Sequence, residues 1–432
     1  MQPILQGISN KAKREKKYRF GNLYTMLNEQ FLLESWFYLN KKAASGIDSI
    51  SAKDYEENLE SNVIALVERL KKKKYRAKLV RRKEIPKGNG KTRLLGIPAV
   101  EDKLLQVAVT RILTAIFEED FIDHSYGYRP GISVKDEVKH LTKELQFTYY
   151  GYVVEADIKG FFDNIDHNWL LKMLAERISD KALLNLIGKW LKAGVMLENS
   201  KVIQPTTGTP QGGVISPILA NIYLHYVLDI WTERKFSKEC IAKVTFFRYA
   251  DDFICLFQKK KEAERFFNIL PERLGDFNLE LAMDKTQILL FDRNKMSETK
   301  RFSFLGFEFY WGISRKGKPA VMRRTSPQKL KESKKTIKEW IKRSRSMKLK
   351  YFMAKLKSKL RGYYNHYGVI GNYKSMGLFS YYVENTLFKW LNRRSQKRSM
   401  NWEEFGKMLR KYSFQKPFIS EKRDYQRKIC FN

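Results

Sequence analysis

The segment Thr245–Phe257, TFFRYADDFICLF, restricts the fold of this 432-residue chain more than any other stretch. Two apolar, aromatic-rich arms flank Ala250-Asp251-Asp252, the pattern of a β-hairpin with adjacent acids at a tight turn. The arms are too apolar to be exposed on both faces, so the hairpin belongs on a buried sheet. Adjacent like charges repel, and one carboxyl is pushed toward protonation unless a cation lies between or beside the two. Asp is also common in ordinary turns, so an Asp-Asp pair alone has a plainer reading as a polar hairpin tip. The apolar arms weigh against it.

A second acidic candidate lies in Gly151 to His167, GYVVEADIKGFFDNIDH. Tyr152 to Ile158 reads as a buried strand ending in Asp157, followed by Lys159-Gly160 and an aromatic pair. A carboxylate at the end of a central strand can converge with Asp251 and Asp252 from a neighbouring hairpin. Three such carboxylates would hold two Mg²⁺ ions, hard cations that prefer oxygen ligands. Two ions of this kind clamp the attacking and leaving oxygens of an in-line phosphoryl transfer. Asp166 is expected instead to cap the helix beginning near Trp169, and Asp163 to point elsewhere. The third piece is TGTPQGGVISPILANIYLHYVLD, Thr207 to Asp229. Ser216-Pro217 reads as a helix start with Ser216 as the N-cap, and the glycines of Pro210-Gln211-Gly212-Gly213 let backbone approach a ligand closely.

Charge then narrows the class of partner. The chain has 83 Lys plus Arg against 47 Asp plus Glu, a formal net charge of +36. Its 43% of hydrophobic residues exclude a disordered basic tail. An excess of this size calls for a polyanion, nucleic acid first and an anionic membrane surface second. No apolar run is long enough to span a bilayer, and MQPILQGISNKAKREKKYRF lacks a signal-peptide core, so a soluble, cytoplasmic protein with no membrane partner is expected. Cys240, Cys255 and Cys430 show no CxxC spacing, which excludes a zinc-finger route to nucleic acid. From Ser314 to Asn432 there are 33 basic and 7 acidic residues, against 50 and 40 in the first 313. Within that basic quarter Leu330, Ile337 and Ile341, and Phe352, Leu356 and Leu360, recur at helical spacing, which predicts basic amphipathic helices. A second basic stretch, Lys71 to Arg93, holds a Gly-Asn-Gly turn between short apolar strands and predicts a hairpin with cationic arms. Ahead of it, Leu23, Met26, Leu27, Phe31, Leu32 and Trp36 share one helical face, as do Leu59, Val63, Leu66 and Leu70.

Together these residues resemble the reverse transcriptases encoded by bacterial group II introns. In order the chain offers IPKGNGKTRLLGIP, HSYGYRPGISVKDEV, EADIKGFFDNIDH, GTPQGGVISPILANIYL, RYADD, LELAMDKTQILLF and FSFLGFEFYW, a match over roughly residues 20–400 in the family's motif order. The resemblance implies an α+β right-hand polymerase. Residues 1–312 would form the fingers and an antiparallel palm sheet, 313–395 an all-helical thumb or maturase region, and 396–432 a short basic segment, a remnant of a DNA-binding region. It places Asp157, Asp251 and Asp252 on the catalytic metal-binding aspartates, with two Mg²⁺ ions and Mn²⁺ as a substitute. Phe162 falls on the aromatic that crowds the sugar 2′ position and favours dNTP over rNTP. Gln211 falls on the residue that contacts the incoming nucleotide, Lys87 and Arg93 on finger cations that hold its triphosphate, and Lys285 on a lysine that helps protonate the pyrophosphate leaving group. Arg81, Arg82, Arg129, Arg323, Arg324, Lys334 and Arg361 are the expected contacts to nucleic acid. Unlike some members, the chain shows no Cys- and His-rich endonuclease after the thumb.

The leading expectation is RNA-templated DNA synthesis from a DNA or RNA primer, with dNTP as substrate, structured intron RNA as a partner and target DNA as a further one. A different class of reading makes the chain mainly an RNA-binding splicing maturase, and a third a stand-alone reverse transcriptase of a defence or repair system. Flanking intron RNA with a domain V hairpin would separate the last from the others.

Overall fold

The computed structural model describes residues 3–87, 91–197, 201–210, 212–314, 316–393 and 400–421. It is α+β, with antiparallel sheets and a helical C-terminal region. The chain folds as two compact units, each built from separated stretches. One comprises Met1–Ile132, Ala156–Cys255 and Lys261–Gln287, the other Ser133–Glu155, Leu256–Lys260 and Ile288–Asn432. This departs from a linear division at residue 312, because the helix Val134–Phe147 joins the second unit.

In the first unit the helix Val100–Phe117 is buried nearly all round, with Leu104, Leu105, Ala108, Val109, Ile112, Leu113, Ile116 and Phe117 inaccessible to solvent. An apolar run of that length without a polar stripe has to be a core helix. Its first turn carries Asp102, which accepts hydrogen bonds from Tyr75 Oη at 2.5 Å and the Lys78 amide at 3.0 Å. Burial pushes the Asp102 carboxyl up to about 6. The apolar face expected over residues 23–36 is interrupted. Asn28 caps the helix Glu29–Trp36 by accepting from the Phe31 amide at 2.9 Å, so Leu23 and Leu27 belong to a preceding turn. The cap outweighs the periodicity, because an Asn side chain satisfies a helix's first orphan donors.

The expected cationic hairpin is present as strands Val80–Lys87 and Lys91–Ile97, in register Arg81↔Ile97 through Lys87↔Lys91. Lys71 ends the helix Leu59–Lys71, whose buried Val63, Leu66 and Leu70 form the predicted stripe. A second sheet runs in the order Val244–Tyr249, Asp252–Phe257, Tyr152–Ala156, Gln287–Leu290.

The second unit holds a three-stranded sheet, Phe302–Phe304, Phe307–Ile313 and Pro319–Thr325, followed by helices Pro327–Ser344, Leu349–Tyr367, Tyr373–Leu391 and Trp402–Lys411. An all-helical region from residue 313 is therefore corrected: a strand stands at Pro319–Thr325, antiparallel to Phe307–Ile313, and the helices begin at Pro327. Ile337, Ile341, Phe352, Leu356 and Leu360 are buried as their spacing predicts. Among the described residues no helix is long and apolar enough to cross a membrane.

Candidate active site

The strand Tyr152–Ala156 delivers Asp157 immediately beyond its end. At the strand's other end the Gly151 amide donates to the Phe257 carbonyl at 2.9 Å. The start of this strand thus lies beside the end of Asp252–Phe257, and in neighbouring strands that arrangement sets Asp157 at the end where Asp252 begins. Val244–Tyr249 and Asp252–Phe257 are joined by the two-residue turn Ala250-Asp251, as the sequence predicts. Asp157 and Asp251 are half-buried and Asp252 is exposed.

On the far side of Asp157 the segment around Leu281 pairs with it. The Ala282 amide donates to the Asp157 carbonyl at 2.8 Å, and the Lys159 amide to Glu280 at 2.9 Å. This pairing carries Lys285, on the turn Met283–Lys285, to the Asp157 carboxylate, to which its Nζ donates. That hydrogen bond raises the Lys285 pKa above the ordinary lysine value, and Asp252 adds in the same direction. Asp157, Lys285 and the Asp251-Asp252 turn are thereby neighbours, a grouping drawn from three separate motifs. Among the described residues no three His, Cys, Asp or Glu side chains stand together as a ready metal-binding group. The donor set fits a hard divalent cation in kind, being carboxylate oxygen throughout; the Lys285 ammonium sits where such a cation would compete for Asp157.

The loop preceding the Ser216 helix packs against the turn that follows Asp157. The Thr209 amide donates to the Phe162 carbonyl at 2.8 Å and the Gly208 amide to Ile165 at 2.8 Å. Gly208, at φ +86°, leaves no room for a Cβ, which would lie 2.8 Å from the Asp163 carbonyl oxygen. Phe162 sits half-buried on the turn Phe161–Asn164, edge-on to Phe161 with ring centroids 5.3 Å apart. Asp166 caps the helix His167–Ala175 through the Trp169 amide at 2.9 Å, as expected. Ser216 is not the N-cap: it is the first residue of the helix Ser216–Leu224, and its hydroxyl donates to the Pro210 carbonyl at 2.9 Å, closing the loop instead. Gln106 accepts from the Val214 amide at 3.2 Å, tying that loop to the core helix. Lys87 and Arg93 stand in the finger hairpin opposite Lys91 and Ile85; their side chains, and all of Gln211, lie outside the described residues.

Residues missed at the sequence level surround the Asp251 turn. Arg248, wholly buried, donates to both oxygens of Asp229 at 2.6 and 2.5 Å, to Asn221 Oδ1 at 3.1 Å, to the Ala250 carbonyl at 2.9 Å and to Ser125 Oγ at 2.7 Å. Asn221 Nδ2 donates in turn to the Gly127 carbonyl at 2.6 Å. His225 completes the surroundings, and burial followed by the Arg248 charge pushes its imidazole down to about 3, so it is neutral. The available signal was an arginine inside a buried apolar strand, which demands a partner, together with Asn221 and Asp229 inside an apolar helix.

Of the expected nucleic-acid contacts, two serve the interior. Arg129 bonds Glu118 at 2.8 Å and the carbonyls of Ile122 and Ser125 at 2.7 and 2.6 Å. Arg323, 6% exposed, donates from Nη2 to both carboxylate oxygens of Glu421 at 2.7 Å. A buried guanidinium with its carboxylate is committed to joining chain segments. Arg81 donates to the Ser45 carbonyl at 2.6 Å, and Arg82 is half-buried. Arg324 bonds Glu308 at 2.6 Å and lies over the Tyr310 ring. Arg361 is exposed on Leu349–Tyr367. Lys334 lines an open groove with Lys331, Lys335, Lys338 and Tyr382, its Nζ 5.3 Å from the Tyr382 ring centre.

The chain has relatives among known proteins. The reverse transcriptase (RNA-dependent DNA polymerase) family matches residues 85–309, and the group II intron maturase-specific domain matches residues 330–409. The group II intron-encoded protein LtrA of Lactococcus lactis subsp. cremoris is 39% identical over 251 residues, 56% of this chain and 41% of that protein. Protein YkfC of Escherichia coli K12 is 34% identical over 278 residues, 56% of this chain and 71% of that protein. A putative COX1/OXI3 intron 2 protein of Saccharomyces cerevisiae is 38% identical over 160 residues, 37% of this chain and 18% of that protein. The chain thus spans less than half the length of the lactococcal relative. Reverse transcriptases generally use divalent metal ions, for which a carboxylate set suits. With the first match covering more than half of its length, and its acids at the shared end of neighbouring strands, this chain belongs to the reverse transcriptase family and carries a group II intron maturase-specific domain.

Proposed function

We propose that this chain is an RNA-directed DNA polymerase of the group II intron type, extending a DNA or RNA primer 3′-hydroxyl with dNTPs on an RNA template. The observation that carries the reading is the meeting of Asp157, the Asp251-Asp252 turn and Lys285 at one end of neighbouring strands. Asp157, Asp251 and Asp252 would hold two Mg²⁺ ions, or Mn²⁺ in their place, which when bound supply charge neutralisation to the attacking and leaving oxygens. Lys285, protonated and hydrogen-bonded to Asp157, would give its proton to departing pyrophosphate. Lys87 and Arg93 on the finger hairpin hold the triphosphate, and Gln211 contacts the incoming nucleotide. Primer extension on RNA and DNA templates tests the reading; a primer left unextended by the native chain overturns it.

Phe162 is the proposed wall against a ribose 2′-hydroxyl. Phe162→Ala should raise rNTP incorporation relative to dNTP by about tenfold or more, since a steric gate acts on one substrate only. Unchanged discrimination in competitive extension would return Phe162 to a packing role.

The maturase-specific match supports a second, compatible activity, in which the basic helices bind structured intron RNA to assist splicing, with target DNA as a further partner. Lys331, Lys334, Lys335 and Lys338 recur at helical spacing along one groove, suited to successive phosphates. Replacing Lys334 and Lys338 together with Gln should lower the log-log salt slope of RNA binding by about 1.4–1.8. A fluorescence-anisotropy titration showing an unchanged slope would place the RNA elsewhere.

A further inference from the structure

We infer that Arg248, with Asp229, Asn221 and Ser125, is a positioning device that holds the Ala250-Asp251 turn, and through it the two carboxylates, in place for the polymerase reaction proposed above, on which this inference rests. A guanidinium has five N–H donors. In Arg248 five bonds occupy all of them: two on Asp229 and one each on Asn221, Ser125 and the Ala250 carbonyl. The bond to Ala250 reaches two residues ahead along the arginine's own strand, onto the residue that precedes Asp251.

That residue needs holding. Ala250 has φ +57°, the left-handed region that a non-glycine residue occupies only under constraint. The constraint comes from two sides. The Arg248 Nη1 atom fixes its carbonyl, and Gly127 backs its amide so closely that a Cβ on residue 127 would lie 2.2 Å from the Ala250 nitrogen. Gly127 is itself placed by the same network. Asn221 donates to its carbonyl, and the neighbouring chain pairs with Arg248 through Tyr126 N–H to Arg248 O at 2.8 Å and Arg248 N–H to His124 O at 2.9 Å.

The helix that supplies the acceptors is shaped to do so. From Ser216 it runs as regular α-helix to Leu224, then widens into π turns over His225–Asp229 and Trp231–Lys235. In an unbroken α-helix Asp229 would stand about 80° around the axis from Asn221. A π turn advances less per residue, swinging Asp229 back to the Asn221 face so that both meet one guanidinium. An ion pair serving stability alone needs only Arg248 and Asp229; this one is divided between a carboxylate and the active-site turn.

The test uses the full chain. Arg248→Met with Asp229→Leu removes both charges together and leaves no lone buried ion, while Asn221→Ala keeps the ion pair and removes the strut to Gly127 together with one acceptor of the Arg248 guanidinium. Each is measured by steady-state primer extension and by amide hydrogen exchange of peptides covering 245–257 and 100–117. The expected result is a fall in kcat of about ten- to a hundredfold, the scale of a misplaced reacting group, with KM for dNTP within about twofold and faster exchange confined to the 245–257 peptide. Arg248→Lys should not restore kcat, because an ammonium has no planar fork. Cooperatively folded variants with native kcat and native exchange at 245–257 overturn the inference, as does faster exchange in both peptides alike. Should the paired variant fail to fold, Asn221→Ala decides by the same two readouts. If the native chain itself extends no primer, the polymerase reading falls, and the exchange comparison still decides whether Arg248 holds the turn.

Discussion

Asp251→Asn should leave the chain folded and able to bind RNA, yet unable to extend a primer. The substitution keeps the shape of the side chain and removes the charge. In the proposed reaction Asp251 helps hold the ions that stabilise charge on the attacking and leaving oxygens, an effect worth several kcal/mol. At roughly tenfold in rate for each 1.4 kcal/mol, the loss is about a thousandfold or more. RNA affinity should hardly change, because it rests on the cationic surfaces of other segments. The variant should also keep the native melting temperature, since Asp251 is only half-buried at a hairpin turn. Single-turnover extension beside an RNA-binding titration separates the two properties, and extension at the native rate by the variant would remove Asp251 from the site.

Acid should weaken the fold through His225. Its imidazole titrates near 6.5 when unfolded and near 3 in the fold, chiefly through burial and next through the Arg248 charge. The native state therefore binds fewer protons than the unfolded chain between these values. The stability tied to a neutral His225 is complete above about pH 6.5 and is lost progressively as pH falls toward 3. Over that window it amounts to at most about 5 kcal/mol. Asp102 acts with the opposite sign. Its folded pKa of about 6 lies above the usual 3.8, so its contribution is complete below 3.8 and is lost as pH rises through 6. Comparison with His225→Phe isolates the histidine, because Phe keeps a ring against Phe121 and Tyr226. The variant's unfolding free energy should fall less steeply below pH 6.5 than that of the native chain. Parallel curves would mean that His225 is already protonated in the fold.

What was legible in the sequence follows from interactions that are local along the chain. The hairpin of TFFRYADDFICLF, the strand begun at Tyr152 and the Asp166 cap each involve residues a few positions apart, and each forms, the strand stopping at Ala156, one residue short of Asp157. The cap at Asn28 is equally local, and it shows one short-range rule overriding another. The remainder depends on partners far away in sequence. Arg248 draws Ser125, Asn221 and Asp229 from two other segments, and Arg323 finds Glu421 near the end of the described chain. A basic residue whose acid lies a hundred positions off looks, in sequence, like one waiting for phosphate. The strand Pro319–Thr325 escaped for a related reason: Arg323 and Arg324 make it read as part of a basic helical module, while its pairing with Phe307–Ile313 buries alternate residues.

The patchwork make-up of the second unit decides what a cut through the chain would leave intact. It takes the helix Val134–Phe147 from far upstream, and Gln146 on that helix accepts from the Val321 amide at 2.8 Å. A stretch of gene beginning at the maturase match, at residue 330, would encode all but the first three residues of the helix Pro327–Ser344 and the helices after it, but not this upstream support. A single cut at that point leaves part of the unit's own packing behind, so the stretch matched by the maturase-specific domain is less than a folding unit.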